Sequence, residues 1–216
     1  MEFLTYLIEL ILHLDRHLES LIESYGLWTY LILFVIVFAE TGLVVTPILP
    51  GDSLLFAAGA FARRGSFNPL LLFAILCAAA ILGDTVNYWV GKYLGQHFVH
   101  GSRRRWIKQK HLDRTHAFFE KYGGKTIILA RFVPIVRTFA PFVAGIGSMT
   151  YGRFLAYNVI GGFLWVGICL AAGYFFGGLP IVQDNFSLVV LAIVIVSLIP
   201  AVVEYLRARA QAPVPP

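Results

Sequence analysis

Long apolar runs restrict the fold of this chain more than any other feature of its sequence. The clearest runs cover residues 69–95, 151–178 and 186–206. A helix of roughly 20 apolar residues crosses a hydrocarbon core of about 30 Å, and a soluble core helix seldom carries so long a run. Hydrophobic residues form 58% of the sequence and charged residues only 13%, whereas about 25% charged residues is usual in soluble domains. The sequence therefore predicts an all-α polytopic membrane protein with a transmembrane helix in each run.

The first 26 residues differ from these runs because charged side chains interrupt them. Apolar residues recur at three- and four-residue spacing, and Glu9, Asp15, Arg16 and Glu19 lie between them. This pattern predicts an amphipathic helix over residues 1–26 that lies in the membrane interface. A tilted, inserted helix is the alternative. The segment has no positive leader and no small-residue cleavage site, so we do not expect a cleaved signal.

Two other apolar segments, 27–62 and 125–149, are broken near their middle. Neither half of either segment is long enough to span a bilayer, and proline removes a helical N–H and clashes with the preceding turn. Non-helical backbone at membrane depth is tolerated where protein or a water-filled cavity surrounds it. We therefore expect two re-entrant helical hairpins. The residues that set their geometry are Pro47, Pro50, Gly51, Pro134 and Pro141.

The two halves of the chain show weak internal similarity. An offset of 97 residues takes Glu23, Tyr25, Gly26 and Thr29 to identical residues, and it takes Glu40-Thr41 to Arg137-Thr138. Each half then comprises an amphipathic helix, a re-entrant hairpin and one transmembrane helix. A unit with one crossing must be inverted in its second copy, and inverted repeats with interrupted helices are common in transporters. The run at 186–206 adds a C-terminal transmembrane helix.

The positive charges indicate how the chain is oriented. They cluster in residues 96–124, predicted as a basic loop with an amphipathic helix, at Lys125, and again at Arg207 and Arg209. Because cytoplasmic loops are rich in lysine and arginine, this loop and the C-terminus should be cytoplasmic and the N-terminus external. Arg63 and Arg64 are exceptions to this pattern. Topology thus explains the net charge of +5, and we expect no nucleic-acid partner.

Glu40 and Asp52 are the candidate acidic site residues. A carboxylate within an apolar membrane segment costs several kcal/mol unless it is paired, hydrated or protonated, so Glu40 is expected to take part in proton coupling or substrate binding. A hydrogen-bonded cap of the broken helix is the alternative. Asp52 precedes a new apolar helix, where an aspartate can act as N-cap, and it can line the hairpin cavity as well.

Arg131 and Arg137 are the candidate phosphate-binding residues. Six residues on an unbroken helix would separate them by roughly 120°, but Pro134 can turn both guanidinium groups into one pocket. Arginine is well suited to bidentate recognition of phosphate. Alternatively, Arg131 pairs with Glu40 or Asp52, or Arg137 extends to the interface.

Other polar residues give weaker signals. Asp84 and Asn87 lie about one turn apart in the first long run and could extend a polar path, or Asp84 could bond a facing hydroxyl group. Cys77 and Cys169 both lie in apolar stretches, and the six histidines form no metal-binding pattern. We therefore expect neither a metal site nor a cofactor.

The residues around the two breaks resemble the DedA family of bacterial membrane proteins. Residues 38–42 read FAETG, residues 47–53 read PILPGDS and residues 130–141 read ARFVPIVRTFAP. The resemblance covers almost the whole chain. It implies a bacterial inner-membrane protein with two opposed re-entrant hairpins, in a superfamily shared with eukaryotic lipid scramblases. Glu40, Asp52, Arg131 and Arg137 stand at the family's functional acidic and basic positions.

The resemblance also implies a function. Family members are described as transporters that depend on the proton-motive force, and some as flippases of undecaprenyl phosphate. We therefore expect translocation of a phosphate-bearing lipid, with membrane lipids and protons as partners, in support of envelope homeostasis. The alternatives are a proton-coupled ion or drug transporter and a non-transporting assembly factor. An enzyme is not expected because the sequence shows no paired nucleophile and base, and the oligomeric state, including a homo-oligomer, stays open.

Overall fold

The computed structural model describes residues 14–43, 51–100, 123–147 and 149–210. Every regular element in these ranges is helical, which confirms the predicted all-α class. The helices are α1 Leu14–Tyr25, α2 Trp28–Gly42, α3 Gly51–Arg63, α4 Pro69–His100, α5 Lys125–Ala130, α6 Pro134–Ile146, α7 Tyr151–Phe176, α8 Pro180–Asp184 and α9 Phe186–Ala210. Most of the predicted basic loop, 101–122, lies outside the described residues, as do residues 1–13.

Two helices in the described part of the chain are long and apolar enough to cross a membrane. They are Pro69–Leu94 within α4 and Tyr151–Phe176, which is α7. In α9 the apolar stretch Phe186–Ser197 is shorter. Helix α4 itself continues to His100, beyond the transmembrane segment predicted over residues 69–95.

The helices on either side of the two breaks are short. With 15 residues in α2 and 13 in α3, each is only about 20 Å long at a rise of 1.5 Å per residue. In the second broken segment α5 has 6 residues and α6 has 13. None of the four is long enough to cross about 30 Å of hydrocarbon alone.

Helices α2 and α4 pack together and run in the same direction. Close to the start of both, the backbone N–H of Asn68 donates to the hydroxyl oxygen of Tyr30 over 2.7 Å. At the end of α2, Gly42 lies against Gly83, which is halfway along α4. Contacts that follow the same order in both helices require parallel axes.

Helix α6 also packs in parallel on α4. The side-chain amide of Asn87 donates to the carbonyl of Thr138 near the start of α6. Further along, a Cβ on Gly91 or Gly145 would meet the backbone of the opposite helix. These two glycines bring the helix backbones together, as small residues commonly do in membrane proteins.

Helices α3 and α5 pack in parallel on α7. Asp52 at the start of α3 bonds Trp165, and Arg63 at its end lies over the Tyr174 ring. Between these points, Gly59 and Gly173 are pressed against the opposite backbone. For α5 the ordered contacts are Gly124 with Tyr157 and Ile128 with Gly161. The fold thus contains two parallel sets of helices, α2, α4 and α6 in one and α3, α5 and α7 in the other.

Candidate functional site

Glu40 lies in the last turn of α2, with 2% of its surface exposed. Its Oε1 accepts a hydrogen bond from Arg137 and another from the backbone N–H of Gly51, 3.2 Å away. Gly51 is the first residue of α3, where helical N–H groups lack helical acceptors and attract negative charge. Within the described residues, Oε2 accepts no hydrogen bond. The carboxylate therefore links the end of α2 to the start of α3.

Gly51 is required for this close approach. A Cβ at this position would overlap the carboxyl group of Glu40. Of the other predicted hairpin residues, Pro134 begins α6, where a missing N–H leaves no helical bond unmade. Pro141 lies inside α6, while Pro47 and Pro50 lie outside the described residues.

Asp52 is the second residue of α3 rather than the residue before the helix, so the N-cap prediction was wrong. Its Oδ1 accepts hydrogen bonds from Arg137, at 2.8 Å, and from the indole N–H of Trp165, at 2.7 Å. The side chain keeps 19% of its surface exposed. It is the most accessible member of the cluster that it forms with Glu40 and Arg137.

Arg137 lies in the first turn of α6 and joins both carboxylates. One terminal nitrogen donates to Glu40 and the other to Asp52. Such charge-assisted bonds are stronger than neutral ones, and a planar guanidinium can make two at once. With one cation for two carboxylates, this cluster is negatively charged whenever both are ionised.

Arg131 belongs to a different cluster. It follows α5 directly, is 3% exposed, and donates to Asp84 at 2.5 Å and to the side-chain oxygen of Asn158. It therefore ties α4 to α7. The alternative that Arg131 pairs with Glu40 or Asp52 was wrong, because helix packing places Arg131 against Asp84.

Asn87 connects the two breaks through backbone groups. Its side-chain amide donates to the carbonyls of Thr41, at 3.3 Å, and Thr138, at 2.8 Å. These threonines directly follow Glu40 and Arg137 in sequence. Asn87 is fully buried, so it supports the backbone next to Glu40 and Arg137.

Sequence reasoning missed Asn158 and Trp165. They lie seven residues apart on α7, a spacing that places both on one helix face. An asparagine inside an otherwise apolar span was a usable signal for Asn158. Trp165 gave no such signal, since tryptophan passes as an ordinary apolar residue in a long hydrophobic run.

In the part of the chain that the structure describes, no group of three or more His, Cys, Asp or Glu residues could hold a metal ion. The polar centre consists of two arginine-carboxylate clusters next to the breaks in the helices. Such a centre can exchange protons or accept an anion in place of an internal carboxylate.

Comparison with known proteins identifies the family. Residues 49–175 match the VTT domain. The chain is 54% identical to Protein DedA of Escherichia coli K12 over 209 residues, which cover 96% of this chain and 95% of the relative. It is also 46% identical to an uncharacterized membrane protein of Mycobacterium tuberculosis H37Rv over 188 residues, covering 84% and 82%.

A more distant relative is the inner membrane protein YqjA of Escherichia coli K12. It is 33% identical over 181 residues, covering 84% of this chain and 82% of the relative. No solved structure matches the chain. The extent of these matches shows that the chain belongs to the DedA family of VTT-domain membrane proteins.

Proposed function

We propose that this protein is a membrane transporter or flippase that moves a phosphate-bearing lipid across the bacterial inner membrane, driven by the proton gradient. The observation that carries the proposal is Arg137, which holds Glu40 and Asp52 together between two broken membrane segments. Buried ionisable groups in a membrane segment commonly mark a substrate or proton pathway. Undecaprenyl phosphate and phospholipids are the candidate cargoes, and their hydrocarbon tails can stay in the bilayer.

The charges of Glu40, Asp52 and Arg137 support proton coupling. When an anionic headgroup takes the hydrogen bonds of Arg137, Glu40 and Asp52 lose their shared cation. Two unpaired carboxylates in an apolar site are costly, and protonation removes that cost. The proposal therefore links headgroup binding to proton uptake. Because Arg131 is already held by Asp84 and Asn158, its share in phosphate binding requires that those bonds open.

The directions of the helices support an inverted repeat. Parallel packing gives α2, α4 and α6 one direction, and α3, α5 and α7 share another. Helix α3 runs opposite to α2, because its first residue, Gly51, bonds Glu40 at the end of α2, while Asn68, which follows α3, bonds Tyr30 near the start of α2. In chain order, α2, α3 and α4 therefore alternate in direction. Helices α5, α6 and α7 repeat this alternation in the opposite sense. Since α2, α3, α5 and α6 are too short to cross, we infer two opposed re-entrant hairpins whose tips meet at Glu40 and Arg137.

This topology can be tested by labelling single cysteines from each side of the membrane. In a variant with Cys77 and Cys169 replaced by alanine, Ser66→Cys should label from outside and Thr150→Cys from the cytoplasm. Both residues are exposed and lie outside the helices. Labelling of both from the same side would contradict the inverted arrangement.

The transport proposal can be tested in proteoliposomes that carry labelled undecaprenyl phosphate or phospholipid. We expect movement between leaflets that increases when a pH gradient is imposed, and that is lost in Glu40→Gln and Arg137→Ala. Arg153→Ala is a matched control because Arg153 is exposed. Absence of lipid movement in the wild-type protein would reject the proposal. Proton flux without lipid movement would favour an ion or drug transporter, and release of inorganic phosphate would favour an enzyme.

A further inference from the structure

Trp165 occupies an unusual position for a tryptophan in a membrane helix. It is in the middle of α7, whose 26 residues run from Tyr151 to Phe176, and it is 2% exposed. In membrane proteins tryptophan is enriched at the two interfaces, where its N–H can reach water or headgroups. A fully buried indole in the middle of the span needs a polar partner inside the protein.

The polar partner is Asp52. The indole N–H donates to Asp52 Oδ1 over 2.7 Å, and the same oxygen accepts from Arg137 at 2.8 Å. The ring contacts both arginines as well. The guanidinium carbon lies 5.0 Å from the ring centroid for Arg137 and 6.0 Å for Arg131. One side chain therefore touches members of both ionic clusters.

On the basis of the proposed function, we propose that Trp165 is a positioning residue. It orients the side chains that bind the phosphate group. Its ring keeps both guanidinium groups close to one side chain, since cations are attracted to the face of an indole. Two arginines kept near one ring can bind the same anion without a large rearrangement of either side chain. The indole thereby gives the two clusters a common anion-binding position.

The N–H group has a second role in the same event. When Arg137 turns to a phosphate, Asp52 loses a charged donor, and a buried acceptor without a donor is costly. The indole N–H remains on Oδ1 and reduces that cost. Trp165 therefore makes Arg137 easier to release from Asp52, through a contact with the carboxylate rather than with the substrate.

The test is binding of dodecyl phosphate to the purified, detergent-solubilised full chain, measured by titration calorimetry. Trp165→Phe keeps an aromatic face and loses the N–H, whereas Trp165→Leu loses both. We expect affinity to fall about tenfold or more in Trp165→Leu and by an intermediate factor in Trp165→Phe. Phe154→Leu is the matched control, because Phe154 is a fully buried aromatic residue on the same helix that packs on Tyr88.

Each outcome separates this inference from the proposed function. Binding by wild type with unchanged affinity in Trp165→Leu would overturn the positioning role and leave the transport proposal standing. An equal loss of affinity in Phe154→Leu would also overturn it, because general packing would then explain the effect. No binding and no lipid movement by the wild-type protein would reject the proposed function itself.

A fluorescence measurement covers the case in which the Trp165 variants do not fold. Trp28, Trp89 and Trp106 are replaced by phenylalanine, so that Trp165 is the remaining tryptophan of the four. Dodecyl phosphate should shift or quench its emission as the guanidinium groups move on the ring, and an unchanged spectrum at saturation would overturn the inference. Inorganic phosphate is tested in parallel. A weaker response to it identifies a lipid headgroup as ligand and an equal response identifies the free anion, and both responses support the role of Trp165.

Discussion

Arg137 donates a hydrogen bond to Glu40, and their sequence separation of 97 equals the offset that aligns the two halves of the sequence. Residues that correspond in the internal comparison are thus direct partners in the structure. The threonines that follow them are joined as well, since Asn87 donates to the carbonyls of Thr41 and Thr138. Two residues related by the offset therefore supply the carboxylate and the guanidinium group of one ion pair.

Replacing Arg137 by lysine tests whether the double bridge is needed. A lysine ammonium keeps the charge but lacks the planar fork that reaches Glu40 and Asp52 together. We expect lipid transport to fall at least about tenfold, as for loss of a bond to a charged group. Transport by Arg137→Lys at the wild-type rate would show that charge alone suffices, and Arg153→Lys serves as control.

Replacing Gly51 by alanine tests the contact between the two sides of the first break. The added methyl group would overlap the Glu40 carboxyl group and push it away from the first N–H of α3. We expect a loss of about 1–3 kcal/mol, typical of overpacking in a buried site, together with loss of transport. The measurement is thermal unfolding in detergent. Gly152→Ala, which places its Cβ in open space, should leave the unfolding temperature almost unchanged.

The pair formed by Arg131 and Asp84 can be examined with a double-mutant cycle. Arg131→Gln and Asp84→Asn should each lower stability by about 3–5 kcal/mol, because each leaves a buried charge without its partner. The double variant should recover part of this loss, since no unpaired charge remains. Losses that simply add would contradict the ion pair. If the double variant is stable but does not transport, Arg131 has a role in substrate binding beyond the pair.

The glycine contact between α3 and α7 gives a steric prediction. A Cβ on Gly173 would collide with the backbone at Phe56, whereas a Cβ on Gly167 would meet a ring carbon of Phe73 at 3.6 Å, an ordinary contact. Gly173→Ala should therefore separate the helices and reduce thermal stability by several degrees. Gly167→Ala, on the same helix, should unfold close to the wild-type temperature. Equal effects of the two substitutions would contradict the close crossing.

Much of the fold could be predicted because its signals are local. Apolar length indicated a membrane protein of helices, and Pro134 marked a break that the structure places at the start of α6. The resemblance of the residues around the breaks to one family is confirmed by the comparisons. By contrast, the unbroken continuation of α4 beyond its apolar part to His100 was not predicted, since the boundary of a helix depends on weak signals.

The partners in the site could not be predicted because they depend on tertiary packing. Arg131 lies 47 residues from Asp84 and 27 from Asn158 in sequence, and nothing in the local pattern joins them. Trp165 is 113 residues from Asp52 and is indistinguishable from a packing residue in an apolar run. Single charged residues in apolar segments could thus be identified as important, but their pairing could not.

The parallel packing of the helices has a mechanical consequence. One set of parallel helices, α2, α4 and α6, contains helices from both halves of the sequence. The other set, α3, α5 and α7, does so as well. The halves are interleaved and cannot rock against each other as rigid units. If the proposed transport involves motion of rigid bodies, the division between them would run between these two sets of helices, where Arg131 contacts Asp84 and Arg137 contacts Asp52. Any opening along that division has to break these two ion pairs, so the charges proposed to bind the substrate would also hold the closed state together.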